Sequence, residues 1–360
     1  MWHLLTFCDS GNLDTTCLLN HTYVFNDGDI ITGNNLTIGD KGSIVNYTNG
    51  AIANHGAGIT LNFVYIEINN GGNISGGSIT VSATNLTVNT AGKIFTQGLG
   101  YTSGNGTGAG VNSGHASGAG HAGHGGHSYD GNGDVGGGIY GSSLKPFTFG
   151  SGGGAGDGGL GSAGSGIISI QISDTLNLSG GLISSAAIAP GGNGGGGSGG
   201  SIYINTNKII GTGNLTASGG AGNGASGGGA GGRIAVYYNQ STFTGISAST
   251  VIGGPRGVTL GSNTAGGSGT MIFVDNTNNV AIIKDGFGFQ NITGGIANES
   301  GTPNQTFWNT NNPTFWNFTN LTIYNSSVIQ SVSMNIPITT NLQVTNISWT
   351  CSGNLIYLAI

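Results

Sequence analysis

The stretch Gly76-Gly-Ser-Ile-Thr-Val81 is followed by Asn85-Leu-Thr-Val88 and then by Lys93-Ile-Phe-Thr96, after which a glycine-rich tract begins. In these bursts aliphatic side chains alternate with small polar ones, which is the period-two pattern of a strand with one buried face. None of them has the 3.6-residue period of a helix, and the helix formers Glu, Lys, Gln and Arg are scarce. The stretch therefore predicts three short strands separated by tight turns.

The same three-burst unit recurs along the chain. It returns after Gly166, after Gly199 and after Gly231, and weaker versions flank this middle part. Three strands per unit, small residues at the turns and inward aliphatic side chains are typical of a parallel β-helix. We therefore expect an all-β parallel β-helix, a solenoid, with Gly-rich loop insertions. An all-β sandwich or jelly roll is the alternative, because such folds also have short strands and frequent turns.

The spread of glycine divides the chain into three regions. We expect N-terminal β-helix coils over residues 1–75, Gly-rich repeat coils over 76–260 with a long insertion at about 98–165, and Asn/Thr/aromatic-rich β coils over 261–360. The insertion is longer than an ordinary loop. Two interpretations are open: a flexible excursion, or a packed bundle of extended strands with three residues per turn, in which glycine lets backbones approach closely.

Charge is scarce in this chain. The 360 residues include 76 Gly but only 7 Lys+Arg and 13 Asp+Glu, and the net charge is −6. Such a chain lacks the basic surface that nucleic acids and anionic membranes attract. No apolar run approaches the roughly 18 residues of a membrane-spanning helix, and a 36% hydrophobic content argues against generic disorder. We expect no nucleic-acid partner, no membrane span and no cofactor.

Two glycine-rich segments carry a family resemblance. Pro190-Gly-Gly-Asn-Gly-Gly-Gly-Gly-Ser-Gly-Gly-Ser-Ile-Tyr-Ile204, followed by Gly227-Gly-Gly-Ala-Gly-Gly-Arg-Ile-Ala-Val-Tyr-Tyr238, resembles segments of large Gly-rich secreted β-helix proteins. These are adhesin-like extracellular proteins of protists and bacteria, loosely similar to the pectin-lyase-like superfamily. The resemblance covers about residues 76–240. It implies a β-helix architecture and says little about activity.

N-glycosylation acceptors are abundant. Asn-x-Ser/Thr occurs sixteen times, against about eight expected from 41 Asn and a 20% Ser/Thr content. Within the predicted strands, alternation places the acceptor Asn outward and the Leu after it inward. We therefore expect a secreted glycoprotein, located outside the cell or at its surface, with covalent N-glycans as partners. The acceptors are Asn20, Asn35, Asn46, Asn73, Asn85, Asn105, Asn177, Asn214, Asn239, Asn291, Asn298, Asn304, Asn317, Asn320, Asn325 and Asn346.

The cysteines agree with an oxidising compartment. Cys8 and Cys17 are nine residues apart, a loop that a disulfide can close, whereas Cys351 has no neighbour in sequence. The C-x₂-C spacing of a zinc site is absent. We predict a Cys8–Cys17 disulfide, which requires an oxidising environment. We also expect 1–360 to be part of a longer chain, because residues 355–360 stop within an apolar strand pattern.

The glycine-rich insertion contains the weak candidates for a metal site. In an extended helix with three residues per turn, His121, His124 and His127 would project along one face and offer imidazole ligands. Asp130 and Asp134 have the alternate spacing of a calcium loop, but the bidentate Glu of such a loop is missing. Polar decoration of a glycine loop is the favoured interpretation, so no metal is expected.

Catalysis is not expected either. Asp27 and Asp29 form the best acidic cluster, but Asp-Gly pairs are common turn formers, and no Lys or Arg follows until Lys41. Polysaccharide-cleaving β-helix enzymes line a groove with several carboxylates and basic residues, and such residues are too few here. A polysaccharide-acting β-helix enzyme is accordingly the least favoured function, and no catalytic residue is assigned.

The sequence favours a structural role. Open solenoid ends expose unpaired strand edges, and head-to-tail contact of such ends propagates into a filament. We expect a subunit of an extracellular, N-glycosylated fibril that docks through residues 355–360 at one end and 2–7 at the other. The repeated Thr306-Phe-Trp-Asn309 and Thr314-Phe-Trp-Asn317 segments would reinforce this joint. The alternative is a cell-surface adhesin or glycan-binding stalk.

Overall fold

A computed structural model describes residues 7–47, 58–129, 135–258 and 263–284, together with the backbone of four strands at 306–307, 318–324, 329–330 and 338–345. These residues form an all-β structure built from large, mostly parallel sheets. Within them there is no helix, and therefore none with the length and apolar character needed to cross a membrane.

Sheet A is the larger sheet, and most of its neighbouring strands are parallel. Its spatial order is β1-β2-β4-β6-β8-β10-β12-β14-β16-β17-β19-β21, with β15 pairing beside β14 on β12. Its strands are β1 (Ser10–Gly11), β2 (Thr16–Leu19), β4 (Ile30–Ile38), β6 (Ile59–Ile68), β8 (Ser78–Asn89), β10 (Ile167–Ser179), β12 (Ser201–Gly211), β14 (Arg233–Tyr238), β15 (Gln240–Phe243), β16 (Thr270–Asp275), β17 (Val280–Lys284), β19 (Phe318–Tyr324) and β21 (Ile338–Thr345).

Sheet B contains the odd-numbered strands from β3 to β13, so the chain alternates between the two sheets from β2 to β13. All its neighbouring strands are parallel. Its strands are β3 (Thr22–Asn26), β5 (Ser43–Tyr47), β7 (Asn73–Ser75), β9 (Lys93–Phe95), β11 (Leu182–Ser184) and β13 (Asn214–Thr216). Two further strands, β18 (Thr306–Phe307) and β20 (Ile329–Gln330), pair with each other.

Aliphatic rows run across both sheets and meet in one hydrophobic core. The residues of each row are in register from strand to strand, and all of them are fully buried. Each contributes about 1.5–3 kcal/mol through burial. The row in sheet A is Leu36, Ile66, Leu86, Leu176 and Ile209, and the row in sheet B is Ile44, Ile74, Ile94, Ile183 and Leu215.

The three predicted bursts become two strands, which corrects the three-strand unit. Residues 78–81 of the first burst and the whole second burst, 85–88, lie on the single strand β8, and residues 93–95 of the third form β9. Inside β8 the alternation of buried and outward residues is interrupted at Thr84 and Asn85, which both lie outward, and the strand continues through them. The neighbouring strand β10 has a register shift between Ile172 and Thr175 at the same level.

The glycine-rich segments are not loops in the ordinary sense, because they hydrogen-bond to one another through their backbones. In the segment Gly227–Gly232, amides three residues apart donate to the same neighbouring segment. Residues 227 and 230 donate to 116 and 119, residues 228 and 231 to 264 and 267, and residues 229 and 232 to 220 and 217. This threefold rotation of partners is what extended chains with three residues per turn produce.

Glycine is required in this bundle because neighbouring backbones occupy the space of a side chain. A Cβ atom at Gly118 would lie 1.9 Å from the carbonyl oxygen of Gly228, and one at Gly136 would lie 1.7 Å from that of Gly125. Of the two interpretations of the insertion at 98–165, the packed bundle therefore fits its described residues. The bundle also includes segments near 191–200, 217–232, 250–257 and 264–269, outside the insertion.

The N-terminal segment expected to dock, residues 2–7, is described by the structure only at Phe7. β1 pairs antiparallel with β2. Phe7 is buried, and its ring packs edge-on against Tyr23 and Phe25 at centroid distances of 5.2 and 5.4 Å. The docking expected over residues 2–7 stays a prediction, because residues 2–6 lie outside the described part of the chain.

Strand direction reverses once within the later part of sheet A. β16 and β17 form an antiparallel pair whose turn is closed by Asp275, which accepts hydrogen bonds from the amides of Thr277 and Asn278. β17, β19 and β21 are then parallel to one another. This reversal at 275–280 lies inside the region 261–360, which is predicted from the sequence as a single region.

Candidate functional site

The described glycosylation acceptors lie mostly on the surface. Asn20, Asn35, Asn73, Asn85, Asn105, Asn177, Asn214 and Asn239 are exposed or half-buried. The outward acceptors on the strands are followed by buried leucines, as alternation predicts: Leu36, Leu86, Leu178 and Leu215. Asn291, Asn298, Asn304, Asn317, Asn325 and Asn346 lie outside the described residues, and only the backbone of Asn320 is described.

Asn46 is the exception and corrects the list of sixteen acceptors. Its side chain is only 4% exposed, and neither its Nδ2 nor its Oδ1 atom has a hydrogen-bond partner among the described residues. It faces inward because β5 buries alternate side chains, Ile44 and Asn46 among them. An oligosaccharide cannot be joined to this nitrogen in the folded protein.

The N-terminal cap is held by a disulfide and by one carboxylate. Cys8 and Cys17 are bonded, with an S–S distance of 2.07 Å, as the sequence predicts. The carboxylate of Asp9 accepts hydrogen bonds from the backbone amides of Asn20 and His21, from the His21 ring and from the Tyr23 hydroxyl. Burial raises the pKa of Asp9, but these donors outweigh it and lower the pKa to about 2. Cys351 lies outside the described residues.

The metal candidates do not form a site in the described part of the chain. His121 is fully buried: its Nδ1 donates to the carbonyl of Gly199 at 2.6 Å, so Nε2 accepts from the Thr148 hydroxyl at 2.8 Å. Burial and the nearby Arg233 charge lower its pKa to about 3, which keeps the ring neutral. The described residues, which include His124 and His127, contain no group of three His, Cys, Asp or Glu side chains suited to a metal, whereas Asp130 and Asp134 lie outside them.

Arg233 joins sheet A to the glycine bundle. Its guanidinium is fully buried and donates to the carbonyls of Tyr140 and His121 and to the hydroxyls of Ser143 and Thr270. The Tyr140 ring in turn packs on His121 with centroids 4.7 Å apart. The cluster is enclosed, so it holds the two regions together and offers no surface for a ligand.

An open groove of about 640 Å³ crosses sheet A at the level of the interrupted alternation in β8 and the register shift in β10. It runs over five strands, and four inter-strand steps of about 4.8 Å give it a length of about 19 Å. Its buried floor is formed by Phe63, Ala83 and Ile172, which are in register on β6, β8 and β10. The full lining is Thr32, Gly33, Asn62, Phe63, Val64, Ser82, Ala83, Thr84, Gln171, Ile172, Ser173 and Asn205.

A row of hydroxyl and amide side chains follows one side of the groove. Thr32, Asn62, Ser82, Gln171 and Asn205 are in register on β4, β6, β8, β10 and β12, so one polar group is presented at each strand step. All five are half-buried or exposed. No residue that lines the groove is charged.

The polar row continues into aromatic side chains. Tyr237 on β14 is in register with Asn205. Its ring lies 5.7 Å from that of Tyr203, which in turn lies 5.1 Å from Phe147, a residue that is 41% exposed. The Tyr237 hydroxyl donates to the carbonyl of Leu144 and holds the loop that carries Phe147. An aromatic surface thus stands beyond one end of the groove.

This groove is not predicted from the sequence. Its residues belong to strands whose outward positions resemble ordinary polar decoration, and no acidic or basic residue marks them. The one signal in the sequence is that Asn, Ser or Gln recurs at the equivalent position of successive strands. These residues are Asn62, Ser82, Gln171 and Asn205.

Comparison of the chain with protein-family models, with characterised proteins and with solved structures gives no match. The resemblance to Gly-rich secreted β-helix proteins therefore rests on residues 190–204 and 227–238 alone.

Proposed function

We propose that this chain is a parallel β-helix that acts outside the cell as an N-glycosylated, non-catalytic protein and binds neutral polysaccharide along the groove of sheet A. The β-helix proposal is supported by the alternation of consecutive strands between two parallel sheets and by the aliphatic rows that both sheets bury in one core. Among the functions expected from the sequence, the groove favours the adhesin or glycan-binding stalk.

One observation carries the binding proposal: every lining residue of the groove is uncharged, and a hydroxyl or amide side chain stands on each of five successive strands. Sugar hydroxyls pair with such donors and acceptors, and a regular row of them suits an extended repeating chain. The buried floor, which includes Phe63, provides apolar contact for the C–H faces of sugar rings, and ligand sites commonly combine apolar lining with a few placed polar groups.

The same lining favours binding over cleavage. Glycoside hydrolysis requires a pair of carboxyl groups flanking the scissile bond, and the groove lining contains none. An extracellular location is supported by the Cys8–Cys17 disulfide and by the eight described acceptors at the surface.

The test is binding of soluble neutral polysaccharides (a β-glucan, a mannan and a galactan) to the secreted protein after enzymatic removal of its N-glycans. Polygalacturonate serves as the anionic comparison. We expect binding to at least one neutral polymer and none to polygalacturonate, because the groove lacks cations and the net charge is −6. Gln171→Ala and Asn205→Ala should each weaken binding about tenfold, in line with the loss of one or two hydrogen bonds.

Thr80→Ala is the matched control, because Thr80 lies on the outward face of β8 without lining the groove. Equal loss of binding in this control, or no binding of any neutral polymer, would contradict the proposal.

Head-to-tail assembly into an extracellular fibril remains a second proposal. β21 is the last strand of sheet A and has a sheet partner on one side only within the described residues. Such an edge can accept a strand from another copy. At the opposite end of sheet A, β1 is the edge strand within the described residues. Negative-stain microscopy of the secreted protein tests this, with filaments expected and monodisperse single particles contradicting it.

A further inference from the structure

Asn85 lies beside the middle of the groove. The five strands that line the groove are β4, β6, β8, β10 and β12, and Asn85 is on the central one, directly after the lining residue Thr84. Its side chain is half-buried, and its Oδ1 atom accepts a hydrogen bond from the amide of Thr175 at 3.1 Å. This bond fixes the amide group and leaves Nδ2, the nitrogen that carries an N-glycan, without a hydrogen bond among the described residues.

The register places other acceptors at different distances from the groove. Asn35 is in the same row as Asn85, two strands away, at the first strand of the groove. Asn177 is on β10, next to β8, but two residues beyond Thr175, the residue paired with Asn85. Asn177 is therefore about 7 Å farther along the strand from the groove than Asn85 is.

We propose that an N-glycan on Asn85 covers the middle of the groove and excludes polysaccharide from it, so that occupancy of this acceptor regulates binding. An N-glycan is bulky relative to a groove of about 19 Å. Covering the central strand leaves two strands on either side, which is too short for an extended polymer to bridge. The inference rests on the proposed polysaccharide-binding function.

The test compares secreted wild-type protein with Thr87→Val and Ser179→Ala. Thr87→Val removes the acceptor motif of Asn85 but keeps Asn85, its bond to Thr175 and the β-branched shape at position 87. Ser179→Ala removes the motif of Asn177 in the same way and is the matched control. Glycopeptide mass spectrometry measures occupancy, and titration with the neutral polymer bound best by the glycan-free protein measures affinity.

We expect Asn85 to be occupied in the wild type, Thr87→Val to bind the polymer at least tenfold more tightly, and Ser179→Ala to bind like the wild type. An unmodified Asn85 in the wild type overturns the inference, as does unchanged affinity of Thr87→Val when Asn85 is occupied. Both results leave the proposed function standing if the glycan-free protein still binds. If the glycan-free protein binds no neutral polymer, the proposed function itself fails and the inference fails with it.

Discussion

Side chains order the two paired sheets, whereas the backbone orders the glycine bundle. In the sheets, in-register rows of Ile, Leu and Val bury their side chains, and the backbone pairing follows the side-chain pattern. In the bundle, order comes from backbone amides that donate in turn to three neighbouring segments, which consist mostly of Gly, Ala and Ser. The sheets are therefore stabilised by the packing of large side chains. The bundle is stabilised by backbone hydrogen bonds, which form because large side chains are absent.

This difference reverses the effect of adding or removing a methyl group. Removing side-chain atoms from a sheet row leaves a cavity, whereas the bundle has no side chain to remove at most positions. Adding one carbon to the bundle forces backbones apart, while the outward face of a sheet accepts it. Three measurements test this contrast, in decreasing order of expected effect.

Leu86→Ala should give the largest loss. Leu86 is fully buried in the middle of the five-residue row of sheet A. Truncation removes its transfer free energy and leaves a cavity, so we expect the free energy of unfolding to fall by about 3 kcal/mol. Denaturant titration measures this. Leu160→Ala is the control, because Leu160 is 72% exposed; a similar loss there would remove the distinction between row and surface.

Gly137→Ala should destabilise the protein by about 2 kcal/mol, since overpacking typically costs about 1–3 kcal/mol. A Cβ atom at Gly137 would lie 2.0 Å from the Gly108 carbonyl oxygen and 2.5 Å from the Gly120 nitrogen, and neither backbone atom can move away freely. A Cβ atom at the adjacent Gly138 would meet nothing within 4 Å among the described residues. Gly138→Ala should therefore change stability by no more than about 0.5 kcal/mol in the same denaturant titration. Equal effects at the two positions would mean that the bundle is not packed as described.

His121 should make the junction between the two regions sensitive to acid. Its pKa is about 3 in the folded protein and 6.5 in the unfolded chain, so the unfolded state binds more protons between these values. The contribution of the neutral His121 ring to the free energy of unfolding is complete above pH 6.5. It is lost as the pH falls toward 3, by about 1.4 kcal/mol per pH unit. Measuring stability from pH 6 to 4.5 avoids most of the titration of Asp9, whose pKa is about 2. In His121→Gln this part of the slope should disappear; an unchanged slope would contradict the buried neutral ring.

The sequence predicts the two regions unequally. Alternation is sufficient to predict that Leu86 is buried and Asn85 outward, because each strand residue has only two faces. It does not predict that 78–81 and 85–88 join in one strand, because two consecutive outward residues, Thr84 and Asn85, interrupt the alternation as a turn would. In the bundle, one glycine segment resembles another, so nothing in the sequence says that Gly227 pairs with Ala116. The groove is hidden for a related reason: its row exists only once the register between distant strands is known.

Hydrogen exchange of the backbone amides, followed by mass spectrometry in the native protein, tests the central claim that the glycine-rich segments form a fixed hydrogen-bonded bundle. The amides of segments 195–200 and 227–232 donate to carbonyls of other segments, except that of Gly197, which donates to the Ser162 hydroxyl. The amides of β8 and β10 likewise donate to neighbouring strands within sheet A. We predict protection in these two segments comparable to that of β8 and β10. Rapid exchange of both segments, with the sheets still protected, would contradict the fixed bundle and show that these residues form flexible loops.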